Sequence, residues 1–194
     1  MKELHEAIRS QGIGKEGGIV KVDMFLNHRM NTALMVEMGQ AFHEAFGDQP
    51  VDLILTVESS GIAVALTTAI AFGNLPVVFA KKGKPSTLAG EVYQSKVYSY
   101  TRGEECPISV AKAYLPPQAR VLIIDDFLAN GEASQGLVDI TQQAGAHVVG
   151  IGICVEKSFQ SGGAKLRSQG FKVVSLARVT GIEDGKPVLE EEEA

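Results

Sequence analysis

The stretch VLIIDDFLANGEA, residues 121–133, constrains the fold more tightly than any other part of the chain. Val121, Leu122, Ile123 and Ile124 are apolar and mostly β-branched, as in a strand buried on both faces. They run directly into two acids, Asp125 and Asp126. A short loop with Asn130 and Gly131 follows, and a helical pattern starts at Ala133. The order reads as a buried parallel strand, an acidic strand end, a turn and a helix N-terminus. Open α/β sheets place ligands at the carboxyl ends of their strands. A helix N-terminus among small residues leaves backbone N–H groups free for a phosphate. Two carboxylates beside such a cradle suit a phosphorylated sugar, whose hydroxyls or Mg²⁺ the acids would face. Taken alone, the same order also describes an ordinary βα turn.

The rest of the chain repeats the βα rhythm. A short helix is expected over residues 4–10, closing near Gly12, and a strand or extended arm over 17–27. Asn31 is placed to cap a helix reaching Phe46, with Gly47 as its stop. Leu34, Met35, Met38, Phe42 and Phe46 give that helix an apolar stripe suited to the core. Strands follow at 53–57 and 77–80, the second leading into Lys81 and Lys82, with a helix over 62–71 between them. Residues 83–105 are weakly patterned and read either as a mobile loop or as a hairpin, with 92–100 strand-like. A strand at 108–110 precedes the Pro116–Pro117 turn. Beyond the central motif come a helix at 133–144, a strand at 148–155, a helix at 163–169 and a last strand at 171–176. The acidic end, 190–194, reads as a solvated tail. Alternation of this kind implies a parallel, doubly wound α/β sheet, and no linker divides the 194 residues, so one domain is expected over 1–194.

Composition narrows the function. The net charge of −5 disfavours a nucleic-acid surface. No apolar run approaches the roughly 18 residues of a membrane span, and the charged N-terminus is unlike a signal sequence, so a cytoplasmic protein with neither membrane nor nucleic-acid partner is expected. Cys106 and Cys154 lack metal-ligand spacing, and the four histidines form no ligand pattern.

DDFLANG resembles the ribose-phosphate loop of type I phosphoribosyltransferases, which use 5-phosphoribosyl 1-diphosphate (PRPP). Asn130 stands where Thr is common in that family. Further segments, KVDMFLNH (21–28), TVESSGIA (56–63), PVVFAKK (76–82) and VEKSFQ (155–160), resemble the short bacterial xanthine phosphoribosyltransferases over nearly the whole chain. That resemblance implies a central parallel sheet flanked by helices, a small hood from the N-terminal arm and a flexible loop within 83–105 in which Tyr98 and Ser99 are lid candidates. It implies that Ala129, Asn130, Gly131, Glu132 and Ala133 wrap the 5′-phosphate, that Asp125 and Asp126 orient the ribose, and that Ser59, Ser60 and Gly61 hold the diphosphate, with Lys81 as its cation. Xanthine would meet Val20, Asn27 and Lys157, although Val20 replaces an expected Leu. Phe159 reads either as a purine-stacking residue or as a core aromatic. Mg²⁺ is implied only with PRPP, through ligand oxygens and water, with no protein side chain assigned to a metal. A homodimer is implied as well.

The physical reading of the base residues agrees. A lysine donates to xanthine's oxo groups and faces adenine's amino group poorly, and Ala129 replaces the Asp of hypoxanthine–guanine enzymes. Two alternatives stay open: an adenine phosphoribosyltransferase on the same short scaffold, and a PRPP-binding regulator without catalysis.

Overall fold

The structure is a computed structural model that describes residues 1–83, 90–99 and 104–191. The chain opens with α1 (Lys2–Gln11), a hairpin of β1 (Ile13–Lys15) and β2 (Ile19–Lys21), a π-type helical turn at Asp23–Asn27, and α2 (Thr32–Phe46). There follow β3 (Leu53–Val57), α3 (Gly61–Ala71), β4 (Val77–Lys82), β5 (Val92–Ser99) and β6 (Glu104–Ala111). The chain then runs through β7 (Arg120–Leu128), α4 (Glu132–Gln143), β8 (His147–Lys157), α5 (Gly162–Ser168), β9 (Val173–Glu183) and β10 (Lys186–Leu189).

Among the described residues, eight strands form one sheet in the order β10-β9-β8-β7-β3-β4-β6-β5. The five inner strands β9, β8, β7, β3 and β4 are mutually parallel, whereas β10, β6 and β5 add antiparallel edges. The expected doubly wound α/β sheet is therefore present with antiparallel extensions at both ends. β3 is buried at every residue, as a strand covered on both faces requires. One side carries α2 and α3, through Met38, Phe42, Phe46, Val64 and Ala65 against Ile54, Leu122 and Ile124. The other carries α4, through Leu137, Val138 and Ile140 against Leu55, Val121 and Ile123.

The cap of α2 is the one expected: Asn31 accepts a hydrogen bond from the Leu34 N–H at 3.3 Å, and all five residues of the apolar stripe are buried. Several expectations are corrected. Residues 17–27 are not one extended arm but the end of a hairpin and a helical turn, because Gly17 and Gly18 both take positive φ, +76° and +74°, and reverse the chain. The lysines belong to β4 rather than following it, and β7 runs beyond its acids to Leu128. The strand expected at 171–176 continues to Glu183 and pairs with β10 across Asp184 and Gly185, whose positive φ values of 48° and 71° make a tight hairpin turn. Glu190 is no free tail residue, since Arg178 donates to it at 2.6 Å.

The N-terminal elements rest on this last hairpin. The Gly14 N–H donates to the Gly185 carbonyl at 2.9 Å, and His5 Nε2 lies 3.0 Å from the Leu176 carbonyl. Cys106 and Cys154 are buried free thiols, in β6 and β8. Residues 84–89, 100–103 and 192–194 lie outside the described residues, and with them two stretches of the lid segment and the end of the acidic tail. No helix among the described residues is long and apolar enough to cross a membrane.

At the amino edge, β3 and β7 are joined by Asp52 and Arg120. Asp52 accepts from the Arg120 N–H at 2.8 Å and from its guanidinium at 2.9 and 2.5 Å. Those hydrogen bonds pull the Asp52 carboxyl down to about 2 from an ordinary 3.8. A depressed carboxyl stabilises the fold above its unfolded value and loses that contribution as pH falls through its folded value. Asp52→Asn should therefore unfold more easily than the parent at neutral pH. The difference should close between pH 3.8 and about 2 when urea unfolding is followed against pH.

Candidate active site

Connections in the parallel sheet reverse at one border. From β3 the chain crosses through α3 to β4 on one side, and from β7 through α4 to β8 on the other. The two helices cover opposite faces, so the carboxyl ends of β3 and β7 open into a crevice, which is where open α/β sheets take ligands. The loops bordering it are 58–60 and 129–131.

Asp125 and Asp126 stand in this crevice, 4% and 6% exposed. The Asp126 N–H donates to Asp125 Oδ1 at 2.9 Å. Burial first, and then the charge of Asp126, push the Asp125 carboxyl well above its ordinary range, while the positive charge of Lys82 pulls the other way. Like charges so close in a desolvated place disfavour double ionisation. Asn27 Nδ2 donates to Asp126 Oδ2 at 3.3 Å, so the helical turn at Asp23–Asn27 reaches over to the acid pair.

The 129–131 loop leads into α4. Ala129 and Asn130 are half-buried, and Gly131, at φ +85°, starts the helix, with its carbonyl accepting from the Gln135 N–H at 2.8 Å. Any side chain at Gly131 would meet Gly162 Cα at 3.1 Å, besides adopting a strained backbone. Glu132 and Ala133 form the first turn, one residue earlier than the expected start. Their unpaired N–H groups, with the helix dipole, favour an anion beside the loop. Ser134 follows, 1% exposed, and its Oγ has no hydrogen-bond partner among the described residues. A buried hydroxyl left unpaired in a first helical turn beside this loop is a site feature that sequence reading missed.

Opposite lies the ESSGI loop. Ser59 is exposed, Ser60 half-buried, and Gly61 buried as the first residue of α3. A Cβ at Gly61 would stand 2.8 Å from Asp125 Oδ1 and closer still to Thr56 Oγ1. The glycine thus lets the loop settle against the acid pair. Thr56 was not anticipated: it is fully buried, and its hydroxyl is unpartnered among the described residues. Glu58 Oε1 accepts from the Lys82 backbone N–H at 2.6 Å, tying this loop to the end of β4. Of the two lysines, Lys82 is the one whose charge acts on Asp125. Lys81 instead lines a groove of about 360 Å³ with Phe79, Val110 and Tyr114.

The third wall combines β8 and the N-terminal hairpin. Lys157 Nζ donates to the Gly18 carbonyl at 3.1 Å and lies 5.9 Å from the centroid of Phe127, the residue after Asp126. Burial draws the Lys157 ammonium below the usual lysine range. Phe159, 41% exposed, is no core aromatic: its ring edge stands 3.1 Å from where a Cβ of Gly18 would be. Val20, two residues beyond Gly18, is buried in the same apolar cluster as Phe25, Leu26 and Val155. Of the three base-pocket candidates, Asn27 touches the acid pair, Lys157 lies near the neighbouring Phe127, and Val20 sits in the core.

Among solved structures, the adenine phosphoribosyltransferase of Trypanosoma brucei, determined with AMP, pyrophosphate and ribose-5-phosphate, superposes with a TM-score of 0.78 at 20% identity, covering 94% of this chain and 82% of that one. The enzyme from Giardia lamblia, complexed with 9-deazaadenine, gives a TM-score of 0.76 at 21% identity, covering 90% and 97%. The fold is that of the type I phosphoribosyltransferases. No family model matches the chain. Curated relatives are more specific: a xanthine phosphoribosyltransferase from Bifidobacterium adolescentis is 49% identical over 190 residues, 98% of both chains. One from Geobacillus thermodenitrificans is 50% identical over 185 residues, 95% of both. The chain belongs to the xanthine phosphoribosyltransferase family.

The close approach at Gly61 is open to test. Gly61→Ala should destabilise the protein by about 1–3 kcal/mol through overpacking against Thr56 and Asp125. Urea midpoints would measure this, and an unchanged midpoint would show that the loop has room to move.

Proposed function

We propose that the chain transfers the 5-phosphoribosyl group of PRPP to xanthine, giving xanthosine 5′-monophosphate and diphosphate. The observation that carries this reading is the contact between Asn27 and Asp126, 3.3 Å long, which sets a base-side residue directly beside a ribose-side one. In the crevice, Ala129, Asn130, Gly131, Glu132 and Ala133 hold the 5′-phosphate at the start of α4, supported by helix N-terminal geometry. Ser59, Ser60 and Gly61 hold the diphosphate, with Lys81 and Lys82 as neighbouring cations. Lys82 is supported by its backbone bond to Glu58 of the ESSGI loop and by the pull of its charge on Asp125. Asp126, which already accepts from Asn27, accepts from ribose hydroxyls. Asp125, pushed toward its neutral form by burial and by Asp126, accepts from the neighbouring backbone N–H.

During transfer the C1–O bond to diphosphate breaks with its electron pair leaving on the diphosphate. A ring nitrogen of the xanthine anion, which has already given its imidazole proton to solvent, donates the pair that forms the new C1–N bond. The protein's share is orientation and electrostatics. Lys157 and Asn27 donate to oxo oxygens, and Val20 shapes the apolar side of the pocket. Lys157 bonded to the Gly18 carbonyl exchanges that acceptor for the base. Among the described residues no three His, Cys, Asp or Glu side chains group to hold a metal. The acid pair alone suits an Mg²⁺ that arrives with PRPP and keeps ligand and water oxygens. When bound, that ion neutralises the departing diphosphate.

Residues 1–194 act as one domain, in the cytoplasm, and as a homodimer. Exposed Val36 of α2 with Leu66 and Ile70 of α3 supports pairing of chains, since each is more than half exposed.

Nucleotide formation from PRPP and Mg²⁺ with xanthine, guanine, hypoxanthine and adenine in parallel tests the reading. Xanthine should give the highest kcat/KM. Preference for adenine would instead select the adenine enzyme, and PRPP binding without turnover a regulator. Lys157→Ala should lower kcat/KM for xanthine about 10- to 100-fold, as expected for a lost charged hydrogen bond, with little change in PRPP binding. Asp126→Asn should weaken the use of PRPP with every base.

A further inference from the structure

Glu156 has no place in the reading above, yet it is the most heavily engaged acid in the molecule's described part. It is 2% exposed at the end of β8, immediately before Lys157. Arg167 of α5 grips it with both guanidinium nitrogens, at 2.7 Å to each oxygen. Ser175 of β9 donates at 2.5 Å, and Arg178 Nε lies 3.6 Å away. Burial opposes the charge, but the hydrogen bonds from Arg167 and Ser175 outweigh it and hold the carboxyl below its ordinary range. Buried ion pairs add little net stability against apolar alternatives, so such a cluster calls for another explanation.

Its geometry offers one. Gly163 is glycine because a Cβ there would run into Glu156 Oε1, so the carboxylate also seats the first turn of α5. The preceding residue, Gly162, donates its N–H to the Ala129 carbonyl at 3.1 Å. A Cβ on Gly162 would lie 2.6 Å from the Gly131 nitrogen and 2.8 Å from the Asn130 carbonyl carbon. The start of α5 is therefore the wall against which loop 129–131 is pressed. Glu156, Arg167, Gly163, Gly162 and Ala129 form one chain of contacts, from a buried carboxylate to the loop.

We infer that Glu156 is a positioning residue for the 5′-phosphate, seating α5 so that Gly162 holds loop 129–131 in its anion-binding form. The inference rests on the proposed assignment of that loop to phosphate. The diphosphate loop at 59–61 is carried by β3 and α3 and lies outside this chain of contacts, so the two ends of PRPP should respond differently.

The test compares inhibition by ribose 5-phosphate and by inorganic pyrophosphate, each competing with PRPP, in the parent, Glu156→Gln, Arg167→Lys and Gly131→Ala. In Glu156→Gln the inhibition constant of ribose 5-phosphate should rise about tenfold, the scale of a modest misplacement, while that of pyrophosphate stays within about twofold. Arg167→Lys, which keeps the charge but loses the fork, should show the same split at smaller size, and decides the matter if Glu156→Gln fails to fold. Equal changes for both inhibitors, or none for either, would overturn the inference. Gly131→Ala separates the two levels. If it leaves ribose 5-phosphate inhibition intact, the loop assignment itself falls. If it removes that inhibition while Glu156→Gln does not alter it, only the positioning role of Glu156 falls.

Discussion

The border between β3 and β7 governs the site. Leu53, Ile54 and Leu55 pair in parallel with Val121, Leu122 and Ile123, and from that seam the crossovers diverge to opposite faces. Right-handed crossovers make this divergence produce an opening at the carboxyl ends of the strands. The strands that border the opening must be held in register for their loops to face each other. Asp52 and Arg120 do so at the far edge, and the packing of Gly61 against Asp125 does so at the near one. Loops of three residues then suffice to face each other across the opening, because the sheet has already set their spacing.

Burying two adjacent acids at this opening creates an electrostatic problem that the structure resolves by dividing their surroundings. Asp125 accepts from the next backbone N–H, faces Gly61 and feels Lys82, while Asp126 faces Asn27. The pair is therefore asymmetric before any ligand arrives. A ligand entering the crevice would meet Asp125, pushed toward neutrality by burial and by its neighbour, beside an Asp126 that faces Asn27. Lys157 has a matching asymmetry on the base side. Burial draws it toward the neutral form, so an acidic, electron-rich base offers it a better partner than the Gly18 carbonyl does.

Much of this was legible in the residues, for local reasons. The run from Val121 through Gly131 announces strand, acids, loop and helix because each step has a strong local preference, and Asn31 and the stripe of α2 announce themselves in the same way. What the sequence reading missed was set by contacts distant in the chain. Thr56, Ser134 and Glu156 look like ordinary residues of strands and a helix, and only the fold shows them buried beside the crevice or behind it. Two hairpins did carry a local signal that went unused: Gly17-Gly18 and Asp184-Gly185 are the dipeptides that positive-φ turns demand. The choice of Lys81 over Lys82 could not be made from spacing, since adjacent strand residues differ only in the face they take.

The hood that carries Val20 and Asn27 begins the chain, yet it rests on the hairpin of β9 and β10 through Gly14 and Gly185, and α1 rests on Leu176 through His5. During synthesis, residues 53–143 leave the ribosome well before that support exists. The seat of β1 is completed only after residues 186–189 have been made and have turned back onto the first strands. The first segment of the chain to be made would thus be the last to be held in place.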